Sequence, residues 1–364
     1  MTILQPSPLS RAASRRLDWF KLLLVAQVAL GHYAMLAYPQ FPELDFGRTT
    51  DVFVAGYRLV TRFGAQAAYA FVCLSGYFLI ARLILIASDR GDGHSATTFL
   101  VQRLRRIYPT LVAAIALTFV CDWSGIYALD AGALYRNFAN YDAVAALNAG
   151  SALGNLASLQ PTFVSAFGSN APLWTLGYIV QFYVVGAALA AIAARSRLIA
   201  GVLAIAIMLV AVLFRPEWAM LFAGWTACGA VRYFSKPARG TGLITLVAGL
   251  LLFVFANLLP ALWSIAICIA ATSLSVFGLG ASFSGDQAKN YRANGWLAGV
   301  SDASYPIYAF HFPVAVLTLA ALPAFIDKDS LILRMAWPMV AATPALILSL
   351  LWQRSLRRWL PEGA

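Results

Sequence analysis

The chain has 364 residues, of which 61% are hydrophobic and 11% charged, whereas a soluble globule of ordinary composition carries roughly 25% charged residues. That balance excludes a soluble fold. The formal net charge of +11 would suit nucleic acid if it were gathered in one patch, but it is spread along the chain in the pattern of a membrane topology signal.

Apolar stretches of roughly 20 residues, enough to cross a hydrocarbon core about 30 Å thick, predict an all-α polytopic membrane protein. Ten helices are expected, at 20–38, 63–82, 107–123, 172–194, 198–214, 217–234, 240–259, 261–281, 297–320 and 334–353. The initial basic stretch precedes an apolar run too long for a cleaved signal peptide, and no small-residue cleavage site follows promptly, so this run is read as the first helix. Clusters at Arg11/Arg15/Arg16/Lys21, Arg103/Arg105/Arg106, Arg195/Arg197, Lys236/Arg239, Lys289/Arg292 and Arg354/Arg357/Arg358 fall at every second loop or at a terminus. With both termini cytoplasmic, 19 of the 26 basic residues lie inside, as the positive-inside rule requires. Anionic membrane lipid is then the expected partner of that charge, and no nucleic acid.

Residues 1–364 are expected to form a single transmembrane domain. Its one substantial external loop, at about 124–171, contains "YRNFANYDAVAALNAGSALGN" and reads as amphipathic or partly re-entrant; polar inner loops are expected at 88–98 and 282–296. No internal repeat is visible, whereas many transporters are built from repeated halves. Cys73, Cys121, Cys228 and Cys268 have neither metal-ligand nor paired spacing. They read as small apolar filler, and no metal is expected.

Of the three histidines, His94 sits in a Gly/Asp/Ser loop and reads as solvated. His32 and His311 lie inside spans. At about 1.5 Å per helical residue they stand roughly 18 Å above Phe20 and 21 Å above Leu297, a matched depth just past the midplane. Ionisable groups at such depth are costly and are functional candidates by default. Asp18, Lys21, Val25, Ala29 and His32 follow helical steps on one face. Ser301, Ser304, Tyr305, Tyr308 and His311 make a second polar stripe, where Pro306 and Pro313 free backbone carbonyls for water or a ligand. The plainer reading is that both histidines only join helices by hydrogen bonds. In "FLVQRLRRIYP", Arg103 and Arg106 lie one turn apart with Arg105 beside them. Their guanidinium forks at a helix N-terminus suit phosphates, and lipid headgroups or topology are the plainer reading.

Taken in order, "RRLDWFKLLLVAQVALGHY", "AYAFVCLSGYFLI", "FLVQRLRRIYP", "APLWTLGYIVQFYVV" and "SYPIYAFHFPV" resemble the membrane acyltransferase-3 family from the first helix to the ninth. The resemblance implies a ten-helix integral membrane enzyme that passes an acyl group, usually acetyl, from acyl-CoA to a carbohydrate or other hydroxyl. The family's basic residue followed after ten residues by histidine falls on Lys21 and His32. Its Arg-x-x-Arg pattern falls on Arg103 and Arg106, its Ser-Gly pattern on Ser75 and Gly76, and its late Tyr/His/Pro element on Tyr308, His311 and Pro313. One departure stands out: Trp174-Thr175-Leu176 leads to Ile179, where the family commonly has glutamate. Asp18, on the histidine face, is the nearest substitute.

The expected function is therefore O-acyl transfer in a bacterial cytoplasmic (inner) membrane. Acyl-CoA, as acetyl-CoA, would dock as donor substrate on Arg103, Arg105 and Arg106, with no permanently bound cofactor. His32 would act as general base or hold the acyl group transiently, supported by Asp18 and Lys21, with His311 orienting the acceptor. Ser75, Trp174, Tyr305 and Tyr308 would line the substrate site. The chain ends soon after the tenth helix, so no fused hydrolase-like domain is expected and the acceptor would be a polysaccharide or lipid-linked glycan. Two other functions fit intramembrane histidines: a proton-coupled transporter, and an inactive binding member of the same fold.

Overall fold

The computed structural model describes residues 11–37, 49–88, 95–136, 141–234, 241–280, 295–323 and 331–359. Inside a bilayer each apolar stretch must satisfy its own peptide groups, and a helix does so within one segment. The described residues accordingly form helices and no strand: α1 (Arg11–Ala37), α2 (Thr49–Thr61), α3 (Gly64–Ala87), α4 (Ala96–Trp123), α5 (Gly132–Arg136), α6 (Ala143–Ala146), α7 (Ala149–Leu156), α8 (Trp174–Arg195), α9 (Arg197–Phe214), α10 (Pro216–Phe234), α11 (Thr241–Ala256), α12 (Ala261–Gly280), α13 (Gly295–Asp302), α14 (Ser304–Ala321) and α15 (Leu331–Trp359).

Eight helical segments among the described residues are long and apolar enough to cross a membrane, and the protein is an all-α polytopic membrane protein. The other two predicted spans are also helical. α11 has only 16 residues, and α10 carries Glu217 and Arg232, so neither meets the same length and apolarity. α2 is a helix that lies outside every predicted span. The predicted ninth helix is two helices, α13 and α14, divided at Ala303. The predicted external loop contains a π-helical turn at Ser124–Ala128, α5 to α7, and a 3-10 turn at Ala171–Leu173. His94, Lys236, Arg239, Lys289 and Arg292 lie outside the described residues, as do 89–94 and 282–294 of the predicted inner loops.

The chain divides into two compact units that alternate along the sequence. The first comprises Met1–Leu22, Gln66–Arg105 and Tyr178–Asn294. Its interior holds Phe182, Trp218, Phe222 and Trp225, with Phe182 5.1 Å from Trp218 and 5.2 Å from Phe222 between ring centroids. There α3 meets α10 backbone to backbone, since a Cβ on Gly76 would overlap the Trp225 carbonyl. Close contact of this kind holds helices together where lipid removes the hydrophobic drive. Cys73, Cys228 and Cys268 are buried free thiols of this unit.

The second unit comprises Leu23–Ala65, Arg106–Gly177 and Gly295–Ala364. Ala29, Tyr33 and Leu36 of α1 pack with Phe312, Ala315, Val316 and Leu319 of α14 and with Trp337 and Ala341 of α15. The Trp337 indole donates to the Tyr33 carbonyl at 3.1 Å. Cys121, a buried free thiol, packs with Val314 and Ala345. This core fixes α14 against the C-terminal part of α1, where the site lies.

Candidate active site in the second unit

Both intramembrane histidines belong to this unit, and they meet. His32 Nδ1 and His311 Nε2 are 2.9 Å apart. The ring centroids are 5.1 Å apart and the planes differ by 15°, which is the geometry of two imidazoles joined edge to edge through an in-plane hydrogen bond. His311 Nδ1 lies 2.7 Å from the Tyr308 carbonyl one turn earlier. Both nitrogens of His311 are thus engaged by protein, and the residue is 1% exposed. His32 is half-buried; its ring packs against Phe312 at 5.0 Å, and no described group bonds its Nε2.

The turn of α14 that carries His311 is braced from outside. Pro313 has no N–H, so the Ala309 carbonyl loses its helical donor; Asn170 Nδ2 takes that place at 2.9 Å. The same Nδ2 donates to Thr118 Oγ1 at 3.0 Å, a hydroxyl that itself donates to Ala114. The carbonyl freed by Pro313 is therefore occupied by a side chain rather than left for water or ligand. Pro306 sits in the first turn of α14, where its missing N–H breaks no intrahelical bond. Tyr308 is held from the other side: it donates to the Pro172 carbonyl at 3.1 Å and accepts from Thr175 Oγ1 at 2.8 Å. Tyr305 donates to the Ile107 carbonyl at 3.1 Å.

Above this brace, Asp122 is buried at the end of α4 and accepts from both the backbone N–H and the hydroxyl of Ser169, each at 2.6 Å. Tyr141 donates to the Ala166 carbonyl at 2.5 Å, and burial holds its phenol well above the usual tyrosine range, so it stays a donor.

The other predicted site residues have the following surroundings. Lys21 and Asp18 form an ion pair at 3.4 Å on the segment of α1 assigned to the first unit. Lys21 stands roughly 16 Å down a continuous helix from His32, at about 1.5 Å per residue, so the helix does not bring the pair to the imidazoles. Ser75 Oγ donates to its own helix, at the Val72 carbonyl, 2.7 Å away. Arg103 is half-buried, with its guanidinium 5.8 Å from the Phe99 ring, while Arg105 and Arg106 are exposed. Trp174 is half-buried, and Ile179 is buried in α8. Among the described residues no cluster of three His, Cys, Asp or Glu side chains could hold a metal ion.

Asn170, Thr175 and Asp122 escape a reading of the sequence. Pro313 is the available signal for the first, since a proline in a buried helix requires a replacement donor for a known carbonyl. Nothing in the sequence names Asn170 as that donor.

A half-buried imidazole whose Nε2 is bonded by no described group, with a second imidazole on its Nδ1, is equipped to take a proton from a hydroxyl. No curated protein and no solved structure matches this chain. The acyltransferase domain of the acyltransferase-3 family matches residues 14–352, a span that includes both histidines, the arginine pair and the whole brace around α14. The chain belongs to the acyltransferase-3 family and is a membrane acyltransferase.

Proposed function

We propose that this membrane acyltransferase moves an acetyl group from cytoplasmic acetyl-CoA to a hydroxyl of a polysaccharide or lipid-linked glycan at a bacterial inner membrane. The observation that carries this reading is the direct bond between His32 and His311, in a unit whose described residues supply no metal cluster. His32 Nε2 accepts the proton of the acceptor hydroxyl while that oxygen attacks the thioester carbonyl carbon. The C–S bond breaks, CoA leaves as a thiolate, and the proton held on His32 passes to it, giving an ester and a free thiol with no redox change. Arg106, exposed on α4 with Arg105, suits the phosphates of the donor, because guanidinium forks bind phosphate oxygens in pairs.

The test is transfer of labelled acetyl from acetyl-CoA to a glycan acceptor in proteoliposomes, for the wild type and His32→Ala. Loss of the base should lower the rate by roughly 100-fold or more. The protein should stay folded, because an interhelical hydrogen bond in a membrane is worth about 0.6 kcal/mol. Undiminished transfer by the variant would remove His32 from the chemistry.

A further inference from the structure

We infer that the backbone carbonyl of Tyr308 sets the proton order of the histidine pair, leaving His32 Nε2 as the one lone pair not spent within it and making His311 a positioning residue. This rests on the function proposed above and deepens it.

The order follows from what each atom is able to do. A carbonyl oxygen only accepts, so His311 Nδ1, 2.7 Å from Tyr308 O, carries hydrogen. A neutral imidazole holds one N–H, so His311 Nε2 is bare and accepts. His32 Nδ1, 2.9 Å away, must then be the donor, and the lone pair of the neutral His32 ring lies at Nε2. Reversing the order requires an imidazolium at His311. That ring is 1% exposed, and no described carboxylate is hydrogen-bonded to either ring, so a charge there would be buried without compensation. The neutral pair is the consistent state, and both rings carry hydrogen on Nδ1.

His311 has no nitrogen left for substrate. Its work is to hold the His32 ring by Nδ1, which aims Nε2 and blocks the alternative tautomer. When His32 Nε2 takes the hydroxyl proton, its Nδ1–H remains bonded to His311 Nε2. The positive charge then forms against an acceptor whose own lone pair faces it. Ala309 and Tyr308 are pinned by Asn170, Thr175 and Pro172, so the carbonyl that starts the sequence is fixed in place.

The decisive measurement is nitrogen NMR of the full-length protein in nanodiscs, labelled in histidine, with signals assigned by single substitution of His32, His94 and His311. In the wild type both His32 and His311 should show hydrogen on Nδ1 and a bare Nε2; hydrogen on Nε2 of His32 would overturn the inference whatever the variants do. In His311→Gln the amide oxygen takes the place of Nε2, so His32 should keep its tautomer and kcat should fall less than about 10-fold. In His311→Phe the ring is kept without an acceptor. His32 should then shift to the Nε2–H form and kcat should fall roughly 100-fold or more, with the KM for acetyl-CoA unchanged. Equal kcat in the Phe variant and the wild type would end the positioning role. Absence of acetyl transfer in every protein, with both rings protonated at Nδ1, would overturn the proposed function and leave the proton order standing.

Discussion

Asp122 is a carboxylate with no water-facing surface, and its two oxygens are divided between the N–H and the hydroxyl of one residue, Ser169. Gly168, just before that serine, has φ +53, and a Cβ there would overlap an Asp122 oxygen. The positive φ and the lack of space both call for glycine. In Asp122→Asn the amide oxygen keeps the Ser169 N–H while the NH2 donates to the hydroxyl oxygen, so that bond reverses, the charge assistance is lost and the buried hydroxyl hydrogen is left without its acceptor. The expected cost is about 1–3 kcal/mol, read as a lower thermal midpoint than the wild type in detergent. An unchanged midpoint would show that Ser169 finds another partner. The sequence places Asp122 at the edge of an apolar stretch, where it looks like an interfacial residue. Its partner lies 47 positions away, and no local pattern reports such a pairing. Thr175 with Tyr308 and Asn170 with Ala309 are separated by 133 and 139 positions, for the same reason beyond the reach of periodicity.

Helices are legible because their signal is local: an apolar run of sufficient length has one acceptable backbone form in lipid. Their breaks are less so. The division at Ala303 falls in Ser301-Asp302-Ala303-Ser304, a polar interruption too short to separate the apolar residues on either side of it, and α2 has too few apolar residues to read as a span. The Ser75-Gly76 pair is an instructive element-scale case. The family pattern suggests a substrate contact at Ser75, whose hydroxyl donates to its own helix, and Gly76 is where α3 and α10 touch. Gly76→Ala should therefore force those backbones apart at about 1–3 kcal/mol, the usual range for overpacking. Gly201, in α9, has open space where a methyl group would stand, with nothing within 4 Å, so Gly201→Ala should hold or raise stability by up to about 1 kcal/mol through helix propensity. Thermal unfolding of the two variants in parallel checks this; similar midpoints would mean the contact at Gly76 is loose.

At the scale of the whole molecule, charge is sorted rather than abundant. Topology is set by the summed bias of many basic residues, so removing one should not invert the protein. Arg106→Ala should nevertheless raise the KM for acetyl-CoA by roughly 10- to 100-fold, since hydrogen bonds to charged groups contribute about 1.5–3 kcal/mol. Arg106→Lys should raise it less, because charge survives while the paired donors do not. Equal KM values in all three proteins would return Arg106 to lipid binding and topology.

The Tyr308 carbonyl that ends the histidine chain belongs to the peptide backbone, so no side-chain substitution deletes it. Genetic damage reaches it by displacing it, through Asn170, Thr175, Pro313 or the braced side chain of Tyr308 itself. A saturation screen for lost acetylation should therefore tolerate many exchanges along exposed α9 but return losses at residues scattered through the chain that never meet substrate. A map of sensitive positions would then outline the scaffold of one immovable oxygen rather than the rim of a pocket.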